Sequence, residues 1–300
     1  MTTHDERVFP KGTLTRGDWE TVVDDELEGW QHTGLRVAEL GPGAGLSLPA
    51  AAVERLVVPL SGSFTVAHRV SGPLETTHLA GRASVFDGPS DVLYLSTGAS
   101  ATIEGEGRVA VAEAPTDEVH PSRHVRRDEV PVELRGAGRS SRQVHNFGTP
   151  QALDAGRFIV CEVVTPAENW SSWPPHKHDE RHEGQESRLE EVYYFETAVT
   201  RGVDAPPQAD PFGFVRAYSS PAGEIDVLAE VRTGDVVLLP HGWHGPCVAA
   251  PGYDLYYLNV MAGPDPERVW HISDDPAHGW IRATWEAQDV DPRLPYERRS

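Results

Sequence analysis

The sequence predicts an all-β protein, built as two β-sandwich barrels in tandem. Three observations carry that expectation. Short apolar runs rich in Val, Leu, Tyr and Phe recur along the chain, bounded by Gly, Pro, Asp or Ser clusters. Long apolar patterns of helical period are almost absent. The halves also echo one another: DVLYLSTGAS (Asp91 to Ser100) lies over DVVLLPHGWH (Asp235 to His244) without a gap, late in each half and with a further strand after each.

In chain order, the first half offers GLRVAEL, ERLVVPL, GSFTVAHRV, DVLYLS and RVAVAEA as strands. The second offers RFIVCEVVTP, EEVYYFE, GFVRAYS, DVVLLP and YDLYYLNVMAG. Between them lies the polar stretch DEVPVELRGAGRSSRQVHNF, read as the boundary. The expected units are an N-terminal barrel over 1–140, a C-terminal barrel over 141–270 and a tail over 271–300. With Trp270, Trp280 and Trp285 in or beside it, the tail is too aromatic to hang free and is expected to pack back on a barrel. The basic stretch HPSRHVRRDE reads as a solvated loop or an interface.

Composition narrows the function. A chain of 300 residues with 39% apolar content can build two cores of about 150 residues each. Its formal net charge of −20 disfavours nucleic acid and anionic lipid as partners. An anionic small molecule would need local cations to enter. Two cysteines are too few for a secreted disulfide scaffold. The start, MTTHDERVFPKG, has no apolar core of a signal peptide, and no apolar run is long enough to cross a membrane. The expectation is a cytoplasmic protein, whose exposed sheet edges allow a homo-oligomer.

The chemistry-bearing residues lie in the second half. In WPPHKHDE, His176 and His178 are two apart; in extended backbone, which the prolines favour, both imidazoles share a face. That is a start for a divalent metal site. In LEEVYYFE one of Glu190 and Glu191 must face inward, where a carboxylate is costly without a cation or hydrogen bonds. In GDVVLLPHGWHGP, tight glycine turns hold His241 and His244 at a strand end, and either suits as a fourth ligand.

The order HxH, Glu, then PxGxH resembles the two motifs of the cupin superfamily. The strings PPHKHD, LEEVYYF, GDVVLLPHGWH, APGYDLYYLNVMAGP and HISDDPAHGWI resemble the 5-deoxy-glucuronate isomerase family of myo-inositol catabolism, a relative of the uronate ketol-isomerases. The resemblance is strong from about residue 170 to 282. It implies a bicupin whose C-terminal barrel holds one divalent metal, Zn2+ or Mn2+, on His176, His178, Glu191 and His244. Glu190 and His241 then become neighbours. The spacer DERHEGQESRLE is longer than in the general cupin motif. The implied reaction is an aldose–ketose isomerisation of 5-deoxy-D-glucuronate to 2-deoxy-5-keto-D-gluconate, a 1,2 proton shift through an enediol.

Such a shift needs a general base, for which Glu190, Tyr193, Tyr218 and His241 are the candidates. The substrate carboxylate needs a cation, and Arg216 is the candidate if the face of Phe214, Arg216 and Tyr218 points inward. Asn259 is a candidate for substrate binding, and Trp243 for a pocket wall. Lys177 alternates away from its histidine neighbours. Two other readings fit the same ligands: a metal-dependent dioxygenase, and a non-catalytic sugar-acid-binding barrel.

Overall fold

Side-chain alternation along the strand Glu190–Val199 sets the layering. Val192 and Tyr194 point to one apolar cluster, Tyr193 and Phe195 to another. A strand buried on both faces lies inside a stack of sheets, not at its surface. The computed structural model describes residues 6–297, so the first five residues of MTTHDERVFPKG and the last three of the tail fall outside the described residues.

Glu190–Val199 sits in a seven-stranded antiparallel sheet of order Val8–Phe9, Val236–Leu239, Glu190–Val199, Tyr253–Ala262, Ile159–Thr165, Arg142–Gly148, Val132–Arg135. A six-stranded sheet faces it, running Gly223–Val231, Gly213–Ser220, Trp243–Ala249, His176–Lys177, Ser273–Asp274, with Trp170–Ser171 also on Trp243–Ala249. Tyr193, Phe195, Val215, Ala217, Tyr257 and Met261 fill the space between these two sheets. The first half forms a nine-stranded sheet around the long strand Ser100–Pro115. One end of that strand pairs with Gly45–Leu48 and Gly62–Arg69, the other with Gly34–Leu40 and Val53–Pro59. It bends at Gly107, whose φ of +119° brings the backbone so near Ser61 that a side chain would strike its carbonyl. Leu46, Phe64, Val66, Leu79 and Ile103 pack inside the first half. Leu56, Val58, Tyr94 and Ala112 of the first half meet Val192, Tyr194, Tyr256 and Leu258 of the second in a third cluster.

Polar groups also bind the halves together. Arg82 grips Glu162 through two bonds of 2.6 and 2.7 Å, with both side chains fully buried. Glu162 also meets His145 at 2.5 Å and the Tyr256 hydroxyl at 2.7 Å. Two glutamates act as reciprocal latches. Glu54 of the first half accepts the backbone N–H groups of Gly156, Arg157 and Phe158 at 2.6–2.9 Å. Glu190 of the second accepts those of His32 and Thr33 at 2.6 and 2.7 Å.

Three segments depart from the sequence reading. The stretch read as a boundary forms two strands, Val132–Arg135 and Arg142–Gly148, at the edge of the seven-stranded sheet. Its buried residues include Arg142, Gln143 and His145, so no apolar alternation advertised a strand. Val8–Phe9 belongs to the second half's sheet through its pairing with Val236 and Val237. The basic stretch contains an edge strand, Arg123–Val125, on Val92–Leu95. In the tail, Ser273–Asp274 pairs with His176–Lys177, and Leu294 and Tyr296 enter the core between the halves. No described helix is long and apolar enough to cross a membrane.

Candidate metal centre

His176 sits directly opposite His244 on neighbouring strands, so the two imidazoles share the inner face. Ala217, which fills that inner space, is the next partner of His244 and fixes the direction. His178 follows two residues after His176. Glu191 projects from the facing sheet, on the side of Tyr193 and Phe195. Among the described residues His176, His178 and His244 bring their ligand atoms within 4.8 Å of one another. Glu191 Oε2 lies 3.3 Å from both His178 Nε2 and His244 Nε2. All four side chains are buried.

The outer nitrogens orient the rings. Nδ1 of His176 meets the Pro174 carbonyl at 3.3 Å, that of His178 the Leu189 carbonyl at 3.2 Å, and that of His244 the Gly242 carbonyl at 3.0 Å. A carbonyl only accepts, so each Nδ1 carries the proton and each Nε2 turns its lone pair inward. His178 Nε2, His244 Nε2 and Glu191 Oε2 are buried without an aligned hydrogen-bond partner among the described residues. Three orphaned acceptors at one point are costly unless a cation satisfies them. Burial, then the neighbouring imidazoles, hold His176 well below its ordinary value. Burial, then His178, lower His244 to about 4. Burial works against a charge on His178 too, but the Glu191 carboxylate outweighs it and pulls this imidazole up. Neutral imidazoles are the form that binds metal. Three nitrogens and a carboxylate suit zinc, manganese, iron or nickel, so the residues present fit a divalent ion.

Two other sequence candidates stand beside this cluster. The Tyr193 ring lies 6.3 Å from that of His244, and its hydroxyl is 3.3 Å from Ser172 Oγ, which is 3.1 Å from the Tyr257 hydroxyl. Burial pushes the Tyr193 phenol well above its ordinary range, so it stays protonated. Asn259, directly opposite Tyr193, is buried on the same inner face, and its Oδ1 has no hydrogen-bond partner among the described residues.

Four candidates do not reach the cluster. Glu190 is on the Val192 face, where the latch on residues 32 and 33 uses its carboxylate. Arg216 is exposed, because Val215 and Ala217 take the inner face of that strand. Its guanidinium lies 4.4 Å from the outer Tyr218 ring. The Tyr218 hydroxyl donates to Asp275 of the tail. His241 Nε2 meets the Glu224 carbonyl at 3.1 Å, away from the inner face. Trp243 pairs with Tyr218 in register and faces outward as well. It stacks near Lys177, which turns away from the histidines.

Lys177 leads to a residue that the sequence reading passed over. Its ammonium is held at 2.7 Å by each of Asp179, Glu180 and Glu186. This acidic group has the spacing of a cation site, and the lysine fills it. Burial opposes the lysine's charge, but these bonds raise its pKa overall. Asp179 also accepts the Gly242 N–H at 2.8 Å and the Ser220 hydroxyl at 2.5 Å. It therefore ties the HKH strand to the turn that carries His244. The only trace of this in the sequence is the run HKHD. Nothing in SSWPP singled out Ser172.

Comparison with known proteins gives one consistent result. A family model described as the KduI/IolB family matches residues 8–281. A 5-deoxy-glucuronate isomerase of Geobacillus kaustophilus is 38% identical over 263 residues, which is 86% of this chain and 89% of that protein. One of Shouchella clausii is 35% identical over 277 residues, 91% of this chain and 96% of the relative. The crystal structure of an IolB-like protein from Salmonella typhimurium superposes with a TM-score of 0.80 at 34% identity, covering 92% of this chain and 99% of the other. Oxalate decarboxylase of Bacillus subtilis reaches a TM-score of 0.61 at 10% identity, covering 100% of this chain and 90% of that one, a likeness of fold.

Proposed function

The chain belongs to the KduI/IolB family, and from that premise we propose that it isomerises 5-deoxy-D-glucuronate to 2-deoxy-5-keto-D-gluconate at a divalent metal held by His176, His178, Glu191 and His244. It is an aldose–ketose isomerase with a mostly-β, cupin-like fold. The observation that carries the site is the convergence of His178 Nε2, His244 Nε2 and Glu191 Oε2, buried and without hydrogen-bond partners among the described residues. Zn2+ or Mn2+ is the expected ion, because the reaction moves a proton and leaves the redox state unchanged.

The arrangement is read as two barrels in tandem with the metal in the second. Strand register supports this. Arg55 pairs with Leu95 and Glu113 in the first half as Glu191 pairs with Leu239 and Met261 in the second. Leu95 and Leu239 coincide when DVLYLSTGAS is laid over DVVLLPHGWH. Arg55 thus stands where the second half has its inward carboxylate. Its guanidinium binds Glu113 at 2.6 Å and the Ala99 carbonyl at 2.8 Å. A permanent cation on the chain occupies the first half's counterpart of the metal centre.

The difficulty in the reaction is negative charge on the carbonyl oxygen as carbon 2 loses its proton, and a bound divalent ion supplies Lewis-acid stabilisation of that charge. The protein contributes orientation and exclusion of water. Three carbonyls hold the histidine rings in the ligating tautomer. Only one carboxylate is spent on the cation, so positive charge remains for the substrate. The protonated Tyr193 phenol donates a hydrogen bond to a substrate oxygen, and Ser172 and Tyr257 extend its hydrogen-bond chain. Asn259 binds a substrate hydroxyl through its free Oδ1.

The test is to strip the protein with chelator, restore single metals and follow 5-deoxy-D-glucuronate by proton NMR in D2O. The expected result is loss of the aldehyde signal and growth of the ketose, with metal and without oxygen. Oxygen consumption coupled to substrate loss would replace this reading with the dioxygenase. A bound metal with unchanged substrate would overturn the reaction and leave the metal centre.

A further inference from the structure

The outward Arg216 leaves the substrate carboxylate without its cation, and a different group of arginines lies on the inner face. Val144 lines the inner cluster, so Arg142, two residues earlier on the same strand, shares that face. Arg135 is directly opposite Arg142 and points the same way. On the other sheet, Asp274 is directly opposite His176 and shares its inner face. Arg282 binds Asp274 through bonds of 2.5 and 2.6 Å. The guanidinium carbons of Arg142 and Arg282 lie 5.6 and 5.3 Å from the same Trp285 ring, and that of Arg135 lies 5.6 Å from Trp270. Three guanidiniums and two indoles therefore group together, and Arg282 is bonded to the residue that pairs with His176.

Their charges are unequally met. Arg135 is paired with Glu133 at 2.8 and 3.0 Å, and Arg282 with Asp274. Arg142 is 5% exposed, donates to the Ser140 carbonyl at 3.0 Å and makes no ion pair of its own among the described residues; the Glu133 carboxylate, whose charge acts on it, is bonded to Arg135. Burial lowers its pKa to about 10; Tyr257 opposes this, Arg135 and Arg282 add to it, and Glu133 opposes it more weakly. A buried guanidinium without a carboxylate is costly, and this chain has 46 acidic residues from which to supply one.

We infer that Arg142, flanked by Arg135 and Arg282, receives the carboxylate of the sugar acid while the aldehyde end lies at the histidine cluster. Arg142 is thereby the residue that selects a uronate over a neutral aldose. This rests on the isomerase reading for its substrate, though not for its anion site.

The experiment compares wild type with Arg142→Gln and Arg142→Lys, on 5-deoxy-D-glucuronate and on 5-deoxy-D-glucose, which has an alcohol in place of the carboxylate. Arg142→Gln is expected to raise KM for the acid on the order of 10- to 100-fold. kcat and metal content should change little, and the preference for the acid should collapse. Arg142→Lys should recover part of it. Adipate, a six-carbon dicarboxylate without an aldehyde, should perturb tryptophan fluorescence in the wild type and not in Arg142→Gln. Unchanged KM in both variants, or adipate binding that survives the glutamine variant, would overturn the assignment. If Arg142→Gln does not fold, Arg142→Lys with adipate decides, because a lysine cannot reproduce the fork and must bind more weakly. A wild type that binds adipate but leaves 5-deoxy-D-glucuronate unchanged would sink the isomerase reading and keep the anion site.

Discussion

Replacing Asp179 by asparagine exchanges one oxygen for an NH2 group, and should loosen the metal centre while leaving the barrel intact. Asp179 uses both oxygens: one receives the Lys177 ammonium at 2.7 Å, the other the Gly242 N–H at 2.8 Å and the Ser220 hydroxyl at 2.5 Å. Gly242 in turn offers its carbonyl to His244 Nδ1. An asparagine has a single acceptor oxygen. Whichever way its amide turns, the NH2 group faces a donor, the ammonium on one side or the peptide N–H on the other. Hydrogen bonds to charged groups contribute about 1.5–3 kcal/mol each, equivalent to roughly 10- to 150-fold in an equilibrium constant. Partners that orient metal-binding side chains typically account for about 10- to 100-fold in affinity. Asp179→Asn should therefore weaken Zn2+ binding by about 10- to 100-fold, measured by competition with a chromophoric chelator at neutral pH. Far-UV circular dichroism should not change, and excess metal should restore most activity. A folded Asp179→Asn protein that binds Zn2+ within about twofold of wild type, less than 0.5 kcal/mol, would refute the idea that this carboxylate aligns the two motifs.

Four further outcomes are expected. Glu191→Gln removes the anionic member of the cluster and should lose metal on dialysis, read as metal per chain by elemental analysis, with activity falling in parallel. Glu162→Gln leaves Arg82 buried without its charge partner and should destabilise the protein by about 3–5 kcal/mol, read as a lower urea midpoint. The same pair sets a pH window. Burial opposes the Glu162 charge, but Arg82 and then His145 outweigh it and hold the carboxyl at about 2, against an ordinary 4.5. A depressed carboxyl stabilises the fold above its unfolded value, and that contribution is lost as pH falls from about 4.5 toward about 2. The Glu162→Gln midpoint should hence be less sensitive to acid than wild type across this range. Arg216→Ala, at an exposed position, should shift stability by no more than about 0.5 kcal/mol and leave KM for the acid unchanged; a large rise in KM would return Arg216 to the site.

Much of the histidine cluster was legible before any coordinates, because its information is local. Two histidines two apart after two prolines share a face whatever surrounds them. A tight glycine turn delivers His244 to a strand end in the same way. The Glu190 and Glu191 pair was legible only as an alternative, since alternation says that the two face opposite ways and not which way is in. Their neighbours decided it: Val192 and Tyr194 meet the other half, so Glu190 turns toward its backbone N–H groups and Glu191 toward the histidines. The same ambiguity left Arg216 conditional on a face that proves to point outward. A sheet that is apolar on one side and solvated on the other gives Phe214, Arg216 and Tyr218 no local mark of direction.

By itself the sequence determined the strand-rich class, the half that carries the histidine motifs and the family, because periodicity, turn residues and contiguous motifs need no knowledge of distant contacts. Only the tertiary structure decided which carboxylate joins the histidines, that Asp179 binds the two motifs together, and that Arg135 and Arg142 lie on strands and not in a linker. Each of those depends on groups far apart in the chain meeting in a buried space. There a charge must find its partner, and only the folded arrangement says which partner is within reach.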